Sequence, residues 1–239
     1  MGKIALIKIA EKPQRTVWFV CGFLLLLSLL WWNLLPYPLF DKPYATVLLD
    51  RDGKIIDMQV AKDGQMRFES DGELPKRYVM SLLMFEDKNF IFHHGVDWLA
   101  LGRALIANIK NGRIVSGGST LSMQVVRLSR SNPPRTIGEK LKEIVLTIRL
   151  EQSYSKKEIL ELYAAHAPFG GNVVGLEAAS LKYFNRHPQE LSWAEAALLA
   201  VLPNAPSLIY PGKNNLLLKA KRDRLLGKMY QYGIIPEDS

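Results

Sequence analysis

Cysteine is almost missing from this chain. The single thiol, Cys21, excludes an internal disulfide framework and any cysteine-based metal site. It lies in an apolar run and reads as a small hydrophobe. No cluster of metal-liganding side chains is written in the sequence. There is no repeat of 20–50 residues, and low complexity is confined to one apolar stretch near the N-terminus. Acidic charge is in deficit: 23 Asp and Glu against 31 Lys and Arg leave a formal net charge of +8. Such a surplus suits an anionic partner, whether phosphate, nucleic acid or a membrane surface. Aromatic and basic residues form no nucleic-acid motif, so nucleic acid is not expected. The 239 residues suffice for one sizeable core plus an extra segment.

Charge is also absent between Thr16 and Phe40. The run Val17 to Trp32, broken only by Ser28 among its leucines, is long enough to cross a bilayer as a helix. Trp31, Trp32 and Tyr37 would lie at the far interface. Residues 1–15 carry Lys3, Lys8, Lys12 and Arg15 against Glu11 alone, which places the N-terminus in the cytoplasm and the rest outside. A cleaved signal peptide is the alternative. The apolar run is too long for it, and no small-x-small cleavage site follows. The expected layout is a basic cytoplasmic tail over 1–15, a transmembrane anchor over 16–40, a linker and β hairpin over 41–70, and a helical domain over 71–239.

Pro36-Tyr37-Pro38 and Lys42-Pro43 read as a short stiff linker. Strand-like runs at 44–49 and 54–60 flank Asp50-Arg51-Asp52-Gly53, a hairpin signal. The remainder reads as helices. Pro75 suits a first helical position. Asp97 can cap a helix whose apolar stripe is Trp98, Leu101, Leu105 and Ile109, with Arg103, Asn108 and Lys110 on its polar side. Ser131-Asn132-Pro133-Pro134-Arg135 breaks the chain. Three capping boxes follow: Thr136 with Glu139, Ser155 with Glu158, and Ser192 with Glu195. The helix begun at Ser192 should stop before Pro203, and a basic helix is expected over 216–229.

The richest stretch chemically is Glu86-Asp87-Lys88-Asn89-Phe90-Ile91-Phe92-His93-His94-Gly95. Val79, Leu82, Leu83 and Glu86 recur at helical spacing, so a carboxylate falls on the stripe that faces the core. Desolvation there raises its pKa and makes it a usable base near neutral pH. The bland alternative is a helix end with a half-exposed Glu86, a solvated Asp87 and packed histidines. Downstream, Ser116-Gly117-Gly118-Ser119-Thr120 sets glycines before a helix start, where open backbone N–H groups favour an anion.

Taken with Gly117-Gly118-Ser119-Thr120-Leu121-Ser122-Met123-Gln124, the Glu86 stretch resembles the first two motifs of the family 51 peptidoglycan glycosyltransferases. These are the polymerase domains of class A penicillin-binding proteins and of monofunctional transglycosylases. Ala167-Pro168-Phe169-Gly170-Gly171 is most similar to the 1C branch. The resemblance runs from about Tyr44 to Met229. It implies a mainly α fold: a lysozyme-like helical glycosyltransferase domain with a small β hairpin, preceded by one transmembrane helix.

The resemblance also implies roles. Glu86 would be the catalytic base that takes the proton of the acceptor 4-hydroxyl, with Glu143 as the second catalytic carboxylate. Asp87, Phe90 and His93 match motif positions that bind substrate; His94 matches none. Ser119, Thr120, Gln124 and Arg127 align with contacts to the donor diphosphate and its sugar, and the last three step along one helix face. Arg127 replaces a common lysine, and its guanidinium still suits a diphosphate. In Glu139-Lys140-Leu141-Lys142-Glu143, Lys140 and Glu143 match, while Glu139 stands where the family has arginine. Ser155 to Tyr163 resembles the fourth motif, but Ala164-Ala165 replaces a usual Leu-Asn. Glu195 to Pro203 resembles the fifth. Basic groups, or a divalent cation such as Mg2+ or Mn2+ at Glu143, would stabilise the leaving group; no organic cofactor is implied. Ser153-Tyr154-Ser155-Lys156 fits Ser-x-x-Lys formally, with no Lys-Thr-Gly after it.

The reaction implied is polymerisation of lipid II into glycan strands, with inversion and release of undecaprenyl diphosphate, at the bacterial cytoplasmic membrane. The apolar flank from Trp98 to Ile109 would dip into the bilayer and admit the lipid tail. The partners would be lipid II, the growing strand, the bilayer, and a transpeptidase domain or other cell-wall enzymes. The chain ends just past the glycosyltransferase region, as a monofunctional enzyme or a piece of a larger one would. Two other readings are a lysozyme-like hydrolase using Glu86 and Glu143, and a degenerate, non-catalytic scaffold marked by Glu139 and Ala164-Ala165.

Overall fold

The computed structural model describes residues 12–51, 55–69, 72–113 and 117–236, without the side chains of 12–15, 49 and 55. The chain divides into two compact units after Phe40. The first carries helix α1, Lys12–Trp32. Its side chains from Thr16 to Leu30 are all exposed. Among the described residues no helix is long and apolar enough to cross a membrane; the basic tail over 1–11 lies outside them.

The second unit opens with the expected hairpin. Strands β1 (Thr46–Leu49) and β2 (Ile55–Gln59) pair antiparallel, with Thr46 opposite Gln59 and Leu48 opposite Asp57. The Asp52-Gly53 turn lies outside the described residues. Helix α2 spans Lys76–Glu86, and Pro75 serves as its N-cap, one position earlier than the sequence suggests. Its buried face is Tyr78, Ser81, Leu82 and Met84 rather than the Val79 stripe. Glu86 still lies on that side, because Tyr78, Leu82 and Glu86 step by four and form one row along the helix.

Helix α3, Trp98–Asn111, is capped by Asp97, whose carboxylate accepts from the Ala100 N–H at 2.8 Å. The apolar stripe lies open: Trp98, Leu105 and Ile109 are exposed, and Ala104 is the buried residue of this helix. Helices α4 (Leu121–Ser129), α5 (Ile137–Ser153) and α6 (Lys156–His166) follow. A short antiparallel pair, β3 (Pro168–Gly170) and β4 (Val173–Val174), then precedes α7 (Leu176–Phe184). The chain closes with α8 (Trp193–Val201), a 3-10 turn Leu202–Asn204, and α9 (Asn215–Gln231).

The boxes at Ser155/Glu158 and Ser192/Glu195 form in full. At Thr136 only half forms: its hydroxyl accepts from the Glu139 N–H, but the Glu139 side chain pairs with Arg130 and Lys142 instead. Two flanking cations outcompete a single backbone donor. Helix α8 is central. Ala196, Ala197, Leu199 and Ala200 are fully buried, and the small alanines let α2 and α9 approach closely. Helix α4 packs on α5 and α6 through Leu121, Met123, Val125 and Val126. Each leucine sunk in this core contributes about 1.5–3 kcal/mol. Together these layers hold the end of α2 and one face of α4 around a shared cleft.

Candidate active site

Glu86 ends α2, and that last turn is pinned from α9, where Lys228 donates to the Met84 carbonyl at 2.9 Å. Gln124 on α4 donates through Nε2 to Glu86 Oε2 at 2.7 Å. The Tyr163 hydroxyl on α6 donates to Gln124 Oε1 at 3.4 Å. The other carboxylate oxygen, Oε1, is enclosed and has no hydrogen-bond partner within the protein. Burial is the main cause that raises the Glu86 pKa. Gln124 and the charge of Lys221 oppose that rise, and Asp87 adds to it.

A cleft of about 550 Å³ opens beside this carboxylate. Glu86, Ser119, Gln124, Arg127, Arg135 and Glu143 all line it, and Pro168, Pro203 and Pro206 supply apolar wall. Five residues singled out by sequence therefore meet in one place. Arg135 was not among them, because it reads as the end of a loop. That loop turns back through left-handed Ser131 (φ 57°) and Asn132 (φ 53°). The Asn132 N–H donates to the Arg127 carbonyl at 3.0 Å, and Arg127 Nη2 donates to the Pro133 carbonyl at 3.1 Å. The fold-back delivers a second guanidinium to the cleft. The Ser131-Asn132-Pro133-Pro134 break was the available signal: a tight turn of this kind returns the next side chain toward the helix it leaves. Glu139, at the family's arginine position, is held by Arg130 at 2.7 Å and Lys142 at 2.9 Å and does not line the cleft.

Several other expected contacts are also engaged within the fold. Asp87 is buried; it accepts from His93 Nε2 at 3.0 Å and from the Leu121 N–H at 3.1 Å. It thereby ties the Glu86 turn to the start of α4. Phe90 is fully buried under the Lys156 ammonium, 4.4 Å from its ring centre. Lys156 also donates to the His93 carbonyl and to Glu151, each at 2.7 Å. Thr120 is the N-cap of α4: its hydroxyl donates to the Gly95 carbonyl and accepts from the Met123 N–H. Its side chain is thus committed to the fold, not displayed with Gln124 and Arg127. Asp87 and Thr120 border a smaller recess of about 200 Å³ that shares Glu86 and Ser119 with the main cleft. His94 is exposed. In Ser153-Tyr154-Ser155-Lys156 the Ser153 hydroxyl accepts from Arg149 and donates to the Arg149 carbonyl, Ser155 caps α6, and Lys156 is turned to Glu151 and the His93 carbonyl.

Lys140 does not line the cleft. It bridges two residues that do, donating to Ser119 Oγ and Glu143 Oε1 at 2.7 Å each. Glu143 is buried with that ammonium as its partner. Among the described residues no group of three or more His, Cys, Asp or Glu is placed to hold a metal. One carboxylate already neutralised by lysine does not fit a divalent cation held by the protein. The Ala164-Ala165 departure borders a separate cavity of about 250 Å³ that shares no lining residue with the cleft.

The glycine pair also differs from a plain anion cradle. Ser116 lies outside the described residues. Gly117 lines the cleft, and a Cβ there would meet nothing within 4 Å. At Gly118 a Cβ would lie 2.6 Å from the Leu101 Cα on α3, a backbone atom that cannot move aside. Gly118→Ala is expected to lower stability by about 2–4 kcal/mol and to displace Ser119, while Gly117→Ala stays within about 1 kcal/mol. Urea unfolding of both variants checks this.

The transglycosylase family model matches residues 52–230. Penicillin-binding protein 1C of Escherichia coli (strain K12) is 39% identical over 203 residues, covering 84% of this chain and 26% of that protein. Penicillin-binding protein 1F of Bacillus subtilis (strain 168) is 36% identical over 198 residues, covering 79% and 27%. A crystal structure of Penicillin-Binding Protein 1A from Haemophilus influenzae aligns over 83% of this chain and 20% of that chain, at 20% identity and a TM-score of 0.45. The chain spans about a quarter of the length of the curated relatives it matches.

Proposed function

This chain belongs to the transglycosylase family, and from that premise we propose that it is a peptidoglycan glycosyltransferase that polymerises lipid II, releasing undecaprenyl diphosphate. One observation carries the reading: an enclosed carboxylate with one unengaged oxygen shares a cleft with two arginines.

The acceptor's 4-hydroxyl attacks the anomeric carbon of the lipid-linked chain. Its oxygen forms the new glycosidic bond as the bond from that carbon to the diphosphate oxygen breaks, and the configuration inverts. The proton passes to Glu86 Oε1, whose raised pKa suits it to accept a proton near neutral pH. Negative charge gathers on the departing diphosphate, where Arg127 and Arg135 receive it. No protonated carboxylic acid is needed at the leaving group. Glu143, fixed by Lys140, orients the sugar or diphosphate. Asp87, Phe90, His93 and Thr120 serve by holding the turn and the start of α4 in place.

The same arrangement speaks against the two rival readings. A hydrolase would need a second free carboxylate, and Glu143 is held by Lys140. The scaffold reading rests on Glu139 and Ala164-Ala165, and neither lies in the cleft, where Arg135 already supplies a second cation. The chain's net charge of +8 fits an anionic lipid substrate.

Helix α1 with its basic flank would anchor the protein in the bacterial cytoplasmic membrane, N-terminus inside. The exposed Trp98, Leu99, Leu105, Ile106 and Ile109 of α3 would enter the bilayer surface and admit the lipid tail. A transpeptidase domain or other cell-wall enzymes would act on the strand next.

The test is turnover of labelled lipid II, with and without magnesium. Glycan polymer and undecaprenyl diphosphate are expected, with no soluble muropeptides from finished cell wall. Muropeptide release without polymer would overturn the proposal. The magnesium arm reads whether a cation accompanies the substrate's diphosphate.

A further inference from the structure

Glu86 touches its surroundings unevenly. One oxygen is held by Gln124, and the other has no partner in the protein. Which oxygen stays open depends on the Gln124 amide, since only its NH2 end can donate. An amide beside a carboxylate can turn by half a rotation and present its own oxygen, leaving two acceptors face to face. Two groups oppose this turn: the ionised Glu86, which can only accept, and the Tyr163 hydroxyl, which donates to Gln124 Oε1 at 3.4 Å. Tyr163 is 1% exposed on α6, and its neighbours hold its ring in place. Burial, and then the nearby Glu86 and Tyr78, push its hydroxyl pKa well upward. That hydroxyl therefore keeps its proton and acts as a donor.

We infer that Tyr163 is a positioning residue: by holding the Gln124 amide it makes Glu86 Oε2 the bound oxygen and Oε1 the proton-accepting one. This rests on the reading of Glu86 as the base. Tyr163 does not itself handle the proton.

The groups that act on Glu86 are Tyr78 and Asp87 beside it, Gln124 from α4, Tyr163 from α6 and Lys221 from α9; Arg127, Glu143 and Arg135 of the α4–α5 loop line the same cleft. Lys221 is engaged with Asn204 Oδ1 at 2.9 Å, so its charge stays in place when Tyr163 changes. Losing the hydroxyl then acts through Gln124 alone. The Gln124 bond favours the ionised carboxylate, so weakening it raises the pKa further.

The experiment uses the full chain with 13C-carboxyl-labelled glutamate, the Glu86 resonance being the one lost in Glu86→Gln. In Tyr163→Phe the Glu86 titration midpoint should rise, and the acid limb of the kcat profile should move with it. At neutral pH kcat should fall about threefold to tenfold, with KM for lipid II unchanged. Gln124→Leu should raise the midpoint at least as much, and the double variant should match Gln124→Leu alone. A midpoint in Tyr163→Phe equal to wild type, or additive effects in the double variant, would overturn the inference. The underlying reading fails separately: a midpoint that moves while Glu86→Gln still polymerises would remove Glu86 as the base and leave the positioning intact.

Discussion

Glu86→Gln should stop polymerisation, with kcat down by roughly two to four orders of magnitude, while the protein stays folded. The substitution keeps the shape and removes the basic oxygen. The new amide oxygen can still accept from Gln124, so that contact survives. Its NH2 group would occupy the unpartnered Oε1 position, and this penalty offsets the relief of no longer burying a charge. The melting temperature at neutral pH should therefore stay within about 2 °C of wild type.

The pH dependence separates the two proteins. Glu86 has a raised pKa in the folded state, so there it holds a proton that the unfolded chain has already released. Stability from this group is present in acid and is lost as pH rises through the folded-state pKa. Wild type should gain on the variant as pH falls through that window, and calorimetry at several pH values reads the difference. The activity of wild type should fall in the same direction, because protonated Glu86 cannot accept the acceptor's proton. A Glu86→Gln protein that polymerises at near wild-type rate would end the assignment.

Asp87→Ala should do the reverse, unfolding the site more than altering its chemistry. The carboxylate is buried and binds His93 on one side and the Leu121 N–H on the other. Removing it strands a ring nitrogen and a backbone donor in the interior, at a cost of about 3 kcal/mol or more. For a domain of this size that lowers the melting temperature by roughly 6–12 °C. Asp87→Asn keeps one acceptor and should lose about half as much. Polymerisation should fall in both, because Asp87 joins the Glu86 turn to the helix that carries Gln124 and Arg127. Were Asp87 a substrate contact only, KM would change and the melting temperature would not; calorimetry beside lipid II kinetics distinguishes these outcomes.

The contrast between Glu86 and Asp87 shows how far the sequence could be read. Adjacent carboxylates in one motif look equivalent on paper. Their opposite orientations come from the end of α2: Glu86 is the last helical residue, and Asp87 leaves it with φ −156° and turns to α4. Thr120 shows the same effect, since capping α4 takes it off the face it seemed to share with Gln124. Arg135 reached the cleft only through a left-handed turn. The stripe on α3 is exposed, and its periodicity alone says that the helix has an apolar side, not what covers it.

By itself, then, the sequence settled what depends on near neighbours along the chain. The caps at Asp97, Ser155 and Ser192, the hairpin strands and a carboxylate on the inner side of α2 all follow from interactions within a few residues. Tertiary structure alone decided which polar groups meet and which are consumed as framework. Glu86, Gln124, Arg127, Arg135, Glu143 and Tyr163 come from four helices and a loop. Distances between such groups are set by the packing of α2 on α8 and of α4 on α5 and α6, and no local rule encodes them.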